Sequence, residues 1–224
     1  MPSSDPRWSK VLSLSVHEFR TPMTVVSGYI RMLLKDRAGA LTDQQRRLLE
    51  EAEKACGRLS GLVAEMSELS NLEAGTLPFN RSSADLRAIL REAVAELPPL
   101  PDREIAVAVE TGEGPAAITA DPVRLKNALA AVTASLRREL IGDEPLIIRE
   151  RKDASGYEVL FGDSATIAAL EAEPNGARGV FDEWRGGVGL SLMVARRVLA
   201  AHDAEIFGAP GGHKAGARIL FRSA

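Results

Sequence analysis

His17, Glu18 and Thr21 form the sharpest chemical grouping in this chain of 224 residues. An imidazole attacks an electrophile through one ring nitrogen more readily when a carboxylate beside it fixes the tautomer or takes up the departing proton. Glu18 follows His17 directly and brings such a carboxylate within reach. Thr21 lies one helical turn on, on the same face as His17, where its hydroxyl would orient a water molecule. Pro22 sits inside an otherwise helical run, removes one backbone N–H, and should bend the helix within about a turn of His17. A histidine alone on a helix is ordinarily solvated or structurally satisfied, so the weight rests on the group rather than on His17 by itself.

Other candidates are softer. Gly187 and Gly189 lie in a glycine-rich stretch ahead of a predicted helix. A glycine-rich loop before a helix is either a phosphate cradle or a simple turn and cap, and alone it decides neither. His202 and His213 are isolated, with no spacing that suggests metal ligation. Cys56 falls on an apolar stripe and reads as packing; Trp184 is expected to plug a core; Arg196-Arg197 reads as a solvated helix face.

The elements that must position these residues follow from periodicity. Apolar residues recur at helical spacing from Leu12 through Val16, Phe19, Met23, Val26 and Ile30 to Leu34, which predicts a helix over 9–35. A short connection over 36–41 contains Gly39. Thr42, with Gln45 three residues on, has the signature of a capping box and opens a second helix that Ala74-Gly75 closes. Two helices joined by a short loop make an antiparallel hairpin, and two stripes alone bury little surface. The simple remedy is a partner hairpin, giving a four-helix bundle across a dimer; packing of the hairpin on its own C-terminal domain is the plainer alternative. Beyond a break at 76–80 the pattern predicts helices over 84–97, 121–140 and 190–201. Strands are predicted over 104–109, 146–149, 157–161, 206–207 and 217–221. Helices and strands without strict alternation indicate an α+β sandwich, a sheet covered on one face. The expected division is a helical hairpin over 1–75, a linker over 76–82, and an α/β domain over 83–224.

Composition excludes several classes. Hydrophobic residues at 45% and charged residues at 26% are ordinary for a soluble globular chain, and aromatics at 4% require a core of Leu, Val, Ile and Ala. A net charge of −3 argues against nucleic acid as a partner. Cys56 is the only cysteine, so no internal disulfide or multi-cysteine zinc site can form. No apolar run approaches the roughly 18–20 residues of a membrane span and no signal-peptide pattern opens the chain, so a cytoplasmic location without membrane contact is expected.

Ser15 to Thr24, followed by Gly28-Tyr29, resembles the phosphoacceptor box of sensor histidine kinases. The resemblance implies that His17 accepts a phosphoryl group and exchanges it with an aspartate on a response-regulator receiver. It gives Glu18 the role of general base and Thr21 that of positioning water for receiver dephosphorylation. The C-terminal two-thirds resembles the Bergerat-type ATP-binding domain of the same family, with departures. Asp121 to Leu125 matches the start of the nucleotide-box helix, but the two asparagines expected next are Ala131 and Ser135, and Arg138 stands where a lysine is common. Asp163 matches the aspartate that bonds adenine, while the glycines of Asp-x-Gly-x-Gly are Ala165 and Ile167. Phe181 to Trp184 resembles the phenylalanine box. In the second glycine box Gly187 and Gly189 match and Ser191 replaces a third glycine, with almost no lid segment before it.

Two lost hydrogen bonds to charged groups are worth about 3–6 kcal/mol together, roughly 10²–10⁴-fold in binding. The expectation is therefore a dimeric two-component protein whose His17 exchanges phosphate with a receiver, with weak or absent ATP use. ATP and Mg²⁺ enter only if Asp163, Arg138, Gly187 and Gly189 still form a working site, and no metal site of the chain's own is expected. The alternatives are a divergent but active kinase, a non-catalytic regulator, and a receiver phosphatase that relies on Thr21.

Overall fold

The computed structural model describes residues 6–153, 156–172, 179–184 and 189–222. The chain divides into two compact units, Met1–Leu77 and Pro78–Ala224.

The first unit is an antiparallel hairpin of α1 (Pro6–Leu34) and α2 (Asp43–Glu73). Leu12, Val16 and Ile30 on α1 are buried, as are Cys56, Val63 and Leu69 on α2. Both ends of the hairpin are tied. Near the turn, Arg46 donates to the Leu34 carbonyl at 2.9 Å and to both Asp36 oxygens at 2.8 Å. Asp36 sits at φ 55, a left-handed conformation that a short polar residue tolerates. At the far end Ser70 Oγ donates to the Ser9 carbonyl at 2.8 Å. The expected capping box is present: Thr42 Oγ1 accepts from Gln45 N at 3.2 Å, and Thr42 N donates to Gln45 Oε1 at 2.9 Å.

The second unit contains β1 (Ser82–Asp85), α3 (Leu86–Ala95), β2 (Val107–Glu110), β3 (Ala117–Ala120) and α4 (Pro122–Glu139). It continues with β4 (Leu146–Asp153), β5 (Gly156–Gly162), α5 (Ser164–Ala172), α6 (Ser191–Ala201), β6 (Ala204–Gly208) and β7 (Ala217–Arg222). Strands β1 and β3 pair antiparallel in a small sheet. The main sheet has the order β2-β4-β5-β7-β6, with only β2 and β4 parallel. The fold is α+β, as expected.

Strand alternation shows which helix lies on which face. Glu150 on β4 opposes Val159 on β5, and its carboxylate takes Arg87 Nε of α3 at 2.7 Å in a fully buried pair. Arg149 and Leu160, the adjacent opposed pair, point the other way. Arg149 binds both Glu171 oxygens of α5 at 3.0 Å, while Leu160 packs with Ile167 and Leu170 of α5. Helix α5 therefore covers part of the sheet face opposite α3. The sequence pattern indicates one covered face; α5 adds a second, partial layer.

Three further differences have physical reasons. Strands β1 and β3 are four-residue segments rich in Ala, Ser and Thr, with too little apolar alternation to mark them. Strand β4 continues to Asp153 because residues 150–153 pair antiparallel with β5, where Arg151 also meets Glu158. Trp184 does not plug a core: its side chain is 75% exposed, and Phe181, at 4%, takes the buried position.

Candidate functional site

Helix α1 presents His17 to solvent. Its side chain is 79% exposed, Glu18 is 71% exposed, and His17 Nδ1 lies 3.4 Å from Glu18 Oε1. At about 100° per residue, His17 projects away from the buried stripe of Leu12, Val16 and Ile30. A second stripe of Val11, Leu14, Val25, Tyr29 and Met32 is apolar yet 45–64% exposed, and His17 borders it through Leu14, three residues earlier. With Nδ1–H directed at Glu18, Nε2 keeps its lone pair outward; this tautomer follows from the hydrogen-bond geometry.

Pro22 lies inside the continuous helix α1, and without its N–H the Glu18 carbonyl has no i+4 donor. Thr24 Oγ1 donates to the Arg20 carbonyl at 2.8 Å in the same turn. Thr21 is exposed one turn beyond His17. A cleft of 390 Å³ opens between the helices over the next two turns, lined by Arg20, Met23, Thr24 and Ser27 of α1 with Ser60 and Val63 of α2. His17, Glu18 and Thr21 are thus brought together on one accessible surface.

The nucleotide-box positions sit differently. Asp121 caps α4, taking the N–H of Arg124 at 3.1 Å and that of Asn80 at 2.9 Å. Burial pushes its carboxyl up, but those two N–H groups and the Arg124 charge outweigh it and hold it below the usual carboxylate range. Ala131 has no ligand atom to offer, Ser135 is 2% exposed, and Arg138 is exposed near the C-terminal end of α4.

Asp163 is engaged in the local fold. Its Oδ1 accepts the N–H of Thr166 at 2.8 Å, so it caps α5. The hydrogen bond from the Thr166 side chain, with the backbone N–H and the nearby His213, holds the Asp163 carboxyl below its ordinary range. Ala165 is exposed, and Ile167, 1% exposed, is core. Where a glycine loop would let a nucleotide approach, a capped helix packs on the sheet. The spacing Asp163-x-x-Thr166 carried that signal as a helix start. Gly189 takes φ 63 just before α6; Gly187 lies outside the described residues. Asp163, Arg138 and Gly189 stand on three separate elements.

One structural histidine has no local signature. His202 is 7% exposed; its Nε2 accepts the Asp121 N–H at 2.9 Å, which leaves Nδ1–H to donate to the Val198 carbonyl at 2.7 Å. The Phe79 ring meets it edge-on at 5.3 Å. Burial lowers its pKa. Among the described residues no group of His, Cys, Asp and Glu is arranged to hold a metal ion, and no helix is long and apolar enough to cross a membrane.

A helical hairpin followed by an α+β unit is an architecture similar to that of the two-component histidine kinase catalytic core. Residues 7–75 match the His Kinase A (phospho-acceptor) domain family. The sensor histidine kinase GacS of Pseudomonas protegens is 25% identical over 210 residues, 88% of this chain and 23% of that protein. The signal transduction histidine-protein kinase BarA of Escherichia coli is 24% identical over 203 residues, 85% of this chain and 22% of that protein. The chain thus spans less than a quarter of the length of these curated relatives. The fold is similar to full-length ShkA in complex with AMPPNP, with a TM-score of 0.70 and 22% identity over 96% of this chain and 46% of that one. It is also similar to the histidine kinase AdeS of Acinetobacter baumannii, with a TM-score of 0.59 and 18% identity over 92% of this chain and 97% of that one.

Proposed function

We propose that His17 exchanges a phosphoryl group with a receiver aspartate, and that the C-terminal unit makes weak or no use of ATP. In the transfer, a bond forms from His17 Nε2 to phosphorus as the phosphorus–oxygen bond to the aspartate breaks, and Glu18 takes the Nδ1 proton. The reverse step returns the phosphoryl group to the carboxylate. The exposure of His17, its contact with Glu18 and the adjoining cleft support this role.

The observation that carries the ATP half is the capped helix α5. Asp163 Oδ1 accepts the Thr166 N–H and caps α5, Ile167 fills the core, and Ala131 supplies no oxygen toward Mg²⁺. Residues of this kind do not fit a Mg²⁺–ATP complex. The exposed stripe on α1, with exposed Leu48, Leu59 and Leu62 on α2, suits burial against a second hairpin in a homodimer. The lone, buried Cys56 suits a reducing cytoplasm.

A divergent but active kinase is the second reading, favoured by the positive φ of Gly189 ahead of α6 and by likeness to a fold that in ShkA holds AMPPNP. Calorimetric titration with Mg²⁺ and AMPPNP separates the two: stoichiometric binding supports the kinase, and absence of heat up to millimolar nucleotide supports the relay.

A further inference from the structure

Strand β3 has an open edge facing a cleft, and we propose that this edge takes up an extended, acidic peptide segment of a partner protein by β-strand addition. The proposal concerns the second unit alone and does not rest on nucleotide chemistry.

Which edge of β3 is open follows from its register. Ser82 opposes Ala120 and Ala84 opposes Ile118; continuing that register, Leu86 opposes Ala116, and Leu86 N donates to the Ala116 carbonyl at 2.9 Å. Hydrogen-bonded pairs alternate along an antiparallel ladder, so Ile118 and Ala120 turn their backbone groups toward β1. Ala117 and Thr119 turn theirs outward. The next outward N–H belongs to Asp121, and it donates to His202 Nε2 at 2.9 Å, which fixes the direction of this edge independently.

The outward edge borders a cleft of 670 Å³. All four residues of β3 line it, whereas the β1 side contributes only Arg81 and Ser83. A strand seen face-on shows alternate residues, so four in succession mark an edge turned into the cleft. Ala117 and Thr119 are both exposed. The cross-strand pair Tyr157 and Phe221 also lines the cleft; Phe221 is buried, and the half-buried Tyr157 ring is the aromatic surface on which one side chain of an added strand would rest.

The charges favour an acidic occupant. Arg81 and Arg222 line the cleft against one carboxylate, Asp203, and Lys152 sits 5.6 Å from the Tyr157 ring centroid. The Arg81 and Arg222 side chains are 42% and 65% exposed. Each meets a carboxylate of its own chain, Asp203 at 3.7 Å and Glu205 at 2.9 Å, in exposed and therefore weak pairs for which an acidic side chain of the added strand would compete. Main-chain bonds to Thr119 and Ala117 supply affinity, and the arginines and the Tyr157 ring select side chains.

The test pans a phage-displayed library of short random peptides against the whole chain, with the Thr119→Pro protein as counter-target. Proline at an outward-facing N–H leaves the β1 ladder intact. Expected are peptides that alternate apolar and acidic residues, bind Thr119→Pro about tenfold or more weakly, and slow hydrogen exchange at the Thr119 amide. As a second arm, methylating alternate backbone nitrogens of the best peptide abolishes binding to the wild type in one register and spares it in the other. Arg222→Glu should further weaken the acidic peptides. Failure to enrich any peptide overturns the proposal. So does a peptide that tolerates N-methylation in both registers, or one that binds a folded Thr119→Pro protein as well as the wild type.

Discussion

The Asp163 carboxylate accepts the Thr166 N–H at 2.8 Å and thereby starts helix α5. In this arrangement Asp163 works for the fold. Asp163→Ala is expected to lower stability by about 1 kcal/mol, the ordinary worth of an N-cap, in urea denaturation without any nucleotide. An aspartate reserved for adenine would leave the nucleotide-free stability unchanged.

The same bond has a pH signature. The Asp163 carboxyl is held below its unfolded value, so the stability it contributes is present above about pH 4 and lost as pH falls through the folded value. Asp163→Asn should flatten that acid limb in a denaturation series.

His202 sets a second limb at higher pH. Burial keeps its folded pKa below the unfolded histidine value of about 6.5, so the unfolded chain binds the extra proton first. Its contribution is therefore complete above that pH and declines as pH falls. Thermal midpoints should drop between pH 7.5 and 5.5. His202→Gln should cost about 1–3 kcal/mol at pH 7.5 and remove much of the slope. A slope unchanged in His202→Gln would show that protonation of His202 does not matter.

Much of the hairpin was legible in the sequence, and the reason is local. Thr42 and Gln45 state a helix start in four residues, and Cys56, Val63 and Leu69 of the apolar stripe form its buried face. Asp121-Pro122 does the same for α4. Helix α5 was not legible because Asp163 to Ile167 was read against a glycine-loop pattern, although Asp163-x-x-Thr166 is equally a cap. The His202 link to Asp121 joins residues 81 positions apart and leaves no local trace. Trp184 was misplaced for a related reason: composition says that an aromatic can fill a core, but only packing shows that Phe181 already does. At the candidate site His17, Glu18 and Thr21 were legible because one helical turn holds all three.

The exposed stripe on α1 predicts a dimer. Leu14→Glu with Tyr29→Glu, at positions 64% and 60% exposed, should yield a monomer by light scattering while helical circular dichroism persists. A dimer that survives both charges would place the self-association surface elsewhere.

Glu18 is predicted to act in the transfer and not in the fold, since its side chain is 71% exposed. Glu18→Gln should slow phosphoryl exchange by about 10²-fold or more in rapid-quench measurements, with an unchanged melting temperature. Equal rates would remove Glu18 from the proton path.

The central claim is that His17 takes phosphate from a receiver without help from ATP. Wild type and His17→Ala are mixed, in the absence of ATP, with a panel of receiver domains charged by labelled acetyl phosphate. Acid-labile, base-stable label on the chain is then scored. The account predicts label on the wild type and none on His17→Ala. It is contradicted if the folded wild type takes no label from any receiver, or becomes labelled at His17 only when Mg²⁺ and ATP are supplied.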